Sequence, residues 1–193
     1  MMKRLSTGFY SRSALVVARK ILGKLIVRRY RGRKIIGKIV EVEAYYSARD
    51  RASHAFGGKR TERNRAEYLR GGHVYIYLVY GMHWQFNIST GPADHPECLL
   101  IRAVEPVKGF SGRAASGPGK FCKTFHLNKS FYGEDLTRSK RLWLEENKEK
   151  VKVKVQRGPR IGIDYAGPYW SKVPWRFWVK DNRYVSKYPP PGK

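Results

Sequence analysis

Acidic residues are scarce in this chain. Fifteen Asp plus Glu stand against 40 Lys plus Arg in 193 residues, for a formal charge of +25 and a pI near 10.3. Too few acids are present to match the cations in surface ion-pair networks, which weighs against a merely heat-adapted, lysine-rich surface. The excess is the electrostatic footprint of a polyanion binder, with nucleic acid the leading partner. Cysteine is equally sparse: Cys98 and Cys122 stand alone without a C-x-x-C pair. Their number excludes a zinc ribbon and a four-cysteine iron–sulfur cluster, and their expected role is as small, reduced core residues. No apolar run approaches the ~20 residues of a membrane span, and "ALVVA" near the start is too short and interrupted for a secretory signal. An intracellular protein without a membrane partner is expected. Repeats and internal linkers are also missing, so one domain is expected over residues 1–187, followed by a frayed tail, "YPPPGK", at 188–193. What is present is 41% hydrophobic residues, enough to exclude a disordered basic tail and to build a core without metal or disulfide staples.

The segment "SRSALVVARKILGK" opens with serines able to cap, carries Leu15, Val16, Ala18, Ile21 and Leu22 at helical spacing, and ends at Gly23. One amphipathic helix is predicted. "KLIVRRYRGRKIIGKIVEVEAYY" alternates apolar and polar residues about Arg31-Gly32-Arg33, a strand hairpin. A second hairpin is predicted in "GGHVYIYLVYGMHWQFNIST", with Tyr80 and Gly81 at its tip. "CLLIRAVEP" reads as a buried strand closed by Pro106, followed by the loop "GFSGRAASGPGK" and a short helix through "FCKTFHL". In "KVKVKVQ" strict alternation puts Val151, Val153 and Val155 on one strand face and lysines on the other, where they either guard a sheet edge or meet DNA.

Chemistry concentrates around "EVEAYYSARDRASHA". Residues two apart on a strand share a face, so Glu41, Glu43 and Tyr45 project together. The ordinary reading of such a face is solvated and polar. However, Tyr46, His54 and Phe56 follow closely, and the cationic "GGKRTERNR", with Arg63 and Asn64, lies beside them; together they suggest a pocket next to a phosphate track. Were "SARDRASHA" helical, Asp50 and His54 would fall four apart and could hydrogen-bond, fixing the imidazole tautomer. Tyr75 and Tyr77 share a strand face, usually a core arrangement. Tyr80, by contrast, is poorly sited for core packing and well sited to wedge between bases. "SGPGKF" is no Walker loop, because the first glycine would fall on Ala114 and Phe121 replaces the metal-binding hydroxyl. A helix start that aims its amides and Lys120 at one DNA phosphate remains open there.

These stretches resemble the alkyladenine (3-methyladenine) DNA glycosylases of the single-domain type. The resemblance runs in order from "ARKILGKLIVR" through "IVEVEAYYSARDRASHAFGGKRTERNR", "GGHVYIYLVYGMHWQFNIST" and "LLIRAVEP" to "SGPGKFCKTFHLNKSFYGEDL", "RIGI" and "RFWVKDNRYVS", covering nearly the whole chain. It implies a monofunctional enzyme that flips an alkylated or deaminated purine from duplex DNA and hydrolyses its N-glycosidic bond. An abasic site is left, and neither metal nor cofactor is required; a monomer is expected. By resemblance, Glu43 is the general base, with Arg102 and the Ile161 carbonyl holding its water. Tyr45, His54 and Tyr77 form the base pocket, Asn87 crowds the 2-amino group of guanine, Tyr80 fills the gap in the helix, and His83 lies beside the wedge. Arg63, Asn64 and Lys120 are expected on the DNA. Three positions depart from the usual pattern: Glu62 replaces a common proline, Glu67 a methionine and Gln85 a cysteine. The first two touch the expected flexibility of the DNA-side loop, and Gln85 the pocket wall.

Elementary chemistry agrees with these expectations. Alkylation at N3 or N7 makes a purine cationic, so aromatic faces attract it by about 0.5–2 kcal/mol. The oxocarbenium-like transition state is stabilised by an ionised Glu43, which also accepts the proton of water. Burial and Glu41 should oppose that ionisation, and Arg102 should favour it. Three rival classes remain: a non-catalytic nucleic-acid binder, a metal-dependent nuclease whose five scattered aspartates lack ligand spacing, and a lysine Schiff-base lyase. The expected fold is α+β, a curved, mainly antiparallel sheet with flanking helices and a protruding hairpin.

Overall fold

The structure, a computed structural model, describes residues 3–110, 115–149 and 153–186. Its elements in chain order are helices α1 (Thr7–Tyr10) and α2 (Ala14–Ile21), strands β1 (Leu25–Tyr30), β2 (Arg33–Tyr46), β3 (Val74–Val79), β4 (His83–Ser89), β5 (Glu97–Lys108) and β6 (Ala115–Ser116), helix α3 (Pro118–Thr124), and strands β7 (Leu142–Glu145), β8 (Val155–Gly158) and β9 (Arg176–Val179). One antiparallel sheet, with β3, β4, β5, β2, β1 and β7 side by side, contains all of these strands; β6 pairs with β5, and β9 pairs with β2 and β8. The α+β expectation holds.

Both predicted hairpins form for the expected reason. Arg31 (φ 47°) and Gly32 (φ 73°) make a tight turn with two consecutive left-handed residues, the form whose twist suits adjoining antiparallel strands. Tyr80 (φ 51°) and Gly81 (φ 68°) do the same at the tip between β3 and β4. Helix α2 also forms where its pattern predicts and buries Val17, Ala18 and Ile21. Its capping differs from expectation. Ser13 makes no side-chain cap; instead Glu97, at the start of β5, accepts the Ala14 amide at 2.7 Å, an acid from the sheet meeting the positive end of the helix.

Three further expectations change. Pro106 does not close β5, which continues to Lys108; it sits opposite Gly37 at a register shift, where a strand tolerates a residue without an N–H. Helix α3 begins at Pro118, inside the predicted loop, because Gly117 (φ 109°) turns the chain and proline suits the first helical turn. The valine alternation also fails: Val153 packs on the core, Val155 is exposed, and β8 starts only at Val155, while Val151 lies outside the described residues, as does the 188–193 tail.

Alternation along β2 and β5 gives the sheet two different faces. Ile39, Val42 and Ala44 of β2 and Leu99, Ile101 and Val104 of β5 point into the main core, where α2 and α3 add Val17, Ile21, Phe121 and Phe125. Each such Ile, Val or Phe contributes about 1.5–3 kcal/mol by leaving water. The opposite face carries Glu41, Glu43 and Tyr45 together with Cys98 and Arg102. Register shifts on either side of Glu41 bend β2 at the point where it exchanges one neighbour, β1, for another, β9. Among the described residues, no helix is long and apolar enough to cross a membrane.

Candidate active site

Strand register assembles the site. Tyr75 on β3 pairs with Asn87 on β4, Asn87 with Leu100 on β5, Leu100 with Glu43 on β2, and Glu43 with Arg176 on β9. One residue from each of five strands thus lies in a single row across the sheet. The same-face neighbours Tyr45 and Tyr77 sit one step along their strands.

Glu43 and Glu41 are both fully buried, at 0% exposure. A solvated strand face is therefore excluded. Glu43 Oε1 accepts the Ile161 amide at 2.8 Å and faces Arg102 Nη1 at 3.2 Å, while Oε2 accepts the Tyr45 hydroxyl at 3.2 Å. Three donors around one carboxylate are the complement of an anion. Glu41 does not act on Glu43 as an unscreened like charge, because it is spent elsewhere: its Oε1 accepts from Arg102 Nε (3.1 Å), Arg176 Nε (2.7 Å) and Ser186 Oγ (2.8 Å), and its Oε2 from the Ser186 amide (2.7 Å). Arg102 thus sits between the two acids, and both raise its pKa against the opposing effect of burial.

The "SARDRASHA" segment is a series of turns, not a helix, and Asp50 does not meet His54. Asp50 Oδ1 and Oδ2 cap the Ala52 and Tyr46 amides and take both arms of Arg160, at 2.9 and 2.5 Å. Arg160 also donates to the Ala44 carbonyl (3.1 Å), and its guanidinium lies 4.8 Å from the centre of the Tyr45 ring and 5.1 Å from that of Trp175. Because Arg160 immediately precedes Ile161, this pair sets the position of the amide on Glu43.

Beside Glu43 a slot opens between Tyr45, His54, Tyr75 and Tyr77, closed further by Glu67, Asn87, Cys98 and Tyr165. Three of these rings are in contact: His54 to Tyr77 at 4.7 Å edge-on, Tyr75 to Tyr77 at 5.1 Å. His54 stands at the mouth with its ring partly in solvent, Nδ1 2.6 Å from the Tyr75 hydroxyl. Desolvation by its surroundings, then Arg63 and Lys59, push its pKa down to about 4. An NMR titration is accordingly expected to leave His54 neutral at pH 5, with a midpoint near 4; a midpoint near the ordinary ~6.5 would show that solvent at the mouth outweighs desolvation and the two cations. Because the folded value lies below the unfolded one, any stability His54 contributes is present above pH ~6.5 and lost as the pH falls toward 4. Asn87 is buried, its Nδ2 held by the Tyr75 carbonyl at 3.2 Å and the Gln85 carbonyl at 3.3 Å, so it forms a fixed wall. Gln85 itself does not line the slot. The two cysteines are free and buried, and burial pushes both thiols up.

The expected DNA side divides. Tyr80 is 88% exposed in a left-handed conformation that costs a bulky residue about 1–2 kcal/mol, a strain that core packing does not explain. His83, three residues on, and Lys120 are exposed, with Gly119 of α3 against the His83 ring. Arg63 lies over Tyr77 and donates to the Leu78 carbonyl at 3.2 Å. Asn64, expected on DNA, is instead 1% exposed, and its amide joins the Lys59 and His54 carbonyls to Thr61, so it shapes the loop from within. Tyr132 secures the same loop, accepting the Ala66 amide and donating to the Glu62 carbonyl, both at 2.9 Å; Glu62 itself is exposed against Arg65. A larger cavity of about 420 Å³ lies between β4 and α3, but none of the buried acids borders it.

Sequence reasoning missed Asp50 with Arg160, Arg176, Ser186 and Tyr165. None carries a local signal, since their partners lie 110 or more residues away. The family model described as "Methylpurine-DNA glycosylase (MPG)" matches residues 8–183. A relative from Myxococcus xanthus (strain DK1622) is 43% identical over 193 residues, covering 100% of this chain and 98% of its own. Another, from Desulfitobacterium hafniense (strain Y51), is 40% identical over 204 residues, covering 96% and 99%. Both carry the name "Putative 3-methyladenine DNA glycosylase".

Proposed function

Because the chain belongs to the methylpurine-DNA glycosylase family, hydrolases of N-glycosyl bonds in DNA, we propose that it flips an alkylated or deaminated purine from the duplex and that Glu43 activates the water which replaces it. The observation that carries this reading is the fully buried Glu43 carboxylate beside a slot walled by Tyr45, His54 and Tyr77. An acid in such a place is costly unless paired, and here the pairing leaves it next to the rings.

In this reading the flipped base lies between the rings, where a cationic purine gains cation–π attraction and an undamaged one gains less. As the glycosidic bond lengthens, positive charge grows on the sugar, and the Glu43 anion stabilises it while taking a proton from the attacking water. Arg102 orients Glu43 through Nη1. The Ile161 amide is already committed to Glu43, which leaves its carbonyl to hold the water. Asn87, fixed by two carbonyls, is a rigid obstacle to the 2-amino group of guanine. Tyr80 fills the stack vacated by the base, and Arg63, Lys120 and His83 meet the backbone, with affinity falling steeply as salt rises. The enclosed part of the slot is only about 30 Å³, water-sized, so the base enters with movement of its rim, where Tyr165 is tied to the Ala52 carbonyl at 3.1 Å.

Duplexes carrying a single 7-methylguanine or hypoxanthine test the proposal. Incubation in EDTA followed by alkali is expected to cut the strand at the lesion and nowhere else. Binding without abasic sites would favour a non-catalytic binder, loss of cutting in EDTA a metal-dependent nuclease, and borohydride trapping a Schiff-base lyase.

A further inference from the structure

Glu67 is a buried acid that lines the slot itself, while Glu43 stands behind Tyr45, and the water-activating chemistry does not use it. It is 2% exposed on the short 3-10 turn Arg65–Tyr68, lines the slot with Tyr45, Tyr77 and Asn87, and its Oε2 is enclosed without a hydrogen-bond partner. Among the described residues only four side chains carry such an unpaired buried atom, and Glu67 alone of them lines the slot. An unpaired ionised carboxylate there would be expensive, whereas a protonated one is tolerated and has a hydrogen to give.

Resting on the glycosylase reading above, we propose that Glu67 is the acid that protonates an uncharged purine as it departs. The step balances. The Glu67 proton passes to a ring nitrogen of the base while the N9–C1′ bond breaks with its electron pair moving onto the base. Water oxygen bonds to C1′, and the water proton passes to Glu43. Glu67 is left as carboxylate and Glu43 as acid, and exchange with solvent resets both. A cationic lesion needs no such proton, because its positive charge already makes it a good leaving group.

The surroundings of Glu67 agree with a proton held at neutral pH. Tyr75 and Tyr77 face it from β3, Cys98 from β5, Tyr132 from beyond the 129–131 turn, and Asp50 and His54 from the turn segment. Burial pushes its pKa up to about 8; the nearby Tyr75 hydroxyl opposes this and the Asp50 charge adds to it. The position is also one where this chain departs from the commoner methionine.

Single-turnover excision of hypoxanthine and of 7-methylguanine from duplex DNA by the full-length protein, from pH 6 to 9, tests the role. Wild-type excision of hypoxanthine is expected to decline as the pH rises through about 8. In Glu67→Gln that alkaline limb is expected to vanish, and the ratio of hypoxanthine to 7-methylguanine rates to fall about 100-fold. An unchanged ratio with an unchanged pH profile would overturn the role of Glu67 alone. Should the variant not fold, the wild-type profile still decides: no decline for hypoxanthine between pH 7 and 9 overturns the inference. Wild-type protein inactive on both lesions would overturn the glycosylase reading and this one with it.

Discussion

Glu43→Gln is expected to slow excision of every lesion by about 10³-fold while leaving a folded protein, since loss of a general base and loss of a charge on the transition state each cost about 10²–10⁴ and 10²–10³. Glutamine keeps the volume, and its carbonyl can still accept the Ile161 amide or the Tyr45 hydroxyl. Arg102 retains its bond to Glu41 at 3.1 Å, so it is not left unpaired in the interior. Lesion binding should survive, because removing the anion affects the sugar cation more than the seated base. Measured together, single-turnover rate and lesion affinity should therefore separate: rate collapses, affinity holds. A variant that excises 7-methylguanine at the native rate would transfer the water-activating role away from Glu43.

A spacing of two puts Glu43 beside Tyr45 on one strand face, and the family resemblance gives it the role of base. Glu41, Glu43 and Tyr45 were bound to share a face once "IVEVEAYY" was read as a strand, and the turn pairs Arg31-Gly32 and Tyr80-Gly81 announced both hairpins through local backbone preference. Tyr75 and Tyr77 are also two apart on one strand, but that spacing alone reads as core; the resemblance points Tyr77 to the pocket, and the structure adds Tyr75 beside it. What strand periodicity cannot carry is the partner of a buried charge. Asp50 and His54 would meet only in a helix, and the backbone there is tied in turns by Asp50 itself, whose charge is met by Arg160 from 110 residues away. Asn64, expected on DNA by resemblance, is instead taken up by the loop, where its amide donates to the His54 and Lys59 carbonyls and accepts the Thr61 amide. Glu41 likewise looked like an electrostatic influence on its neighbour and proves to be a clamp on Arg176 and Ser186. For Asp50 and Glu41 the role is decided by contacts 110 or more residues away; for Asn64 it is decided within its own loop, by Lys59, His54 and Thr61.

Asp50→Asn is expected to be the most destabilising single change near the site, at about 3–5 kcal/mol, because it leaves a buried cation without its counter-charge. Arg160 has no exposed side-chain surface to retreat to, and its Nε is already unpaired. For a chain of this size the loss corresponds to a fall in Tm of about 6–20 °C, readable by calorimetry. The damage should also reach the chemistry. Arg160 holds the Ala44 carbonyl on β2 and immediately precedes the amide on Glu43, so a displaced Arg160 loosens a 2.8 Å contact that aims the carboxylate. Excision measured well below the new Tm should then drop in rate with little change in affinity, the mark of a positioning residue and not of a pocket wall. The companion test is the double change Asp50→Asn with Arg160→Met, which removes the stranded cation and keeps an apolar side chain against Tyr45 and Trp175. It should recover much of the lost stability, since a buried ion pair replaced whole is often near neutral. It should not recover the rate, because methionine cannot hold the Ala44 carbonyl. Recovery of both together would mean that the pair serves packing alone and that Ile161 finds Glu43 without it.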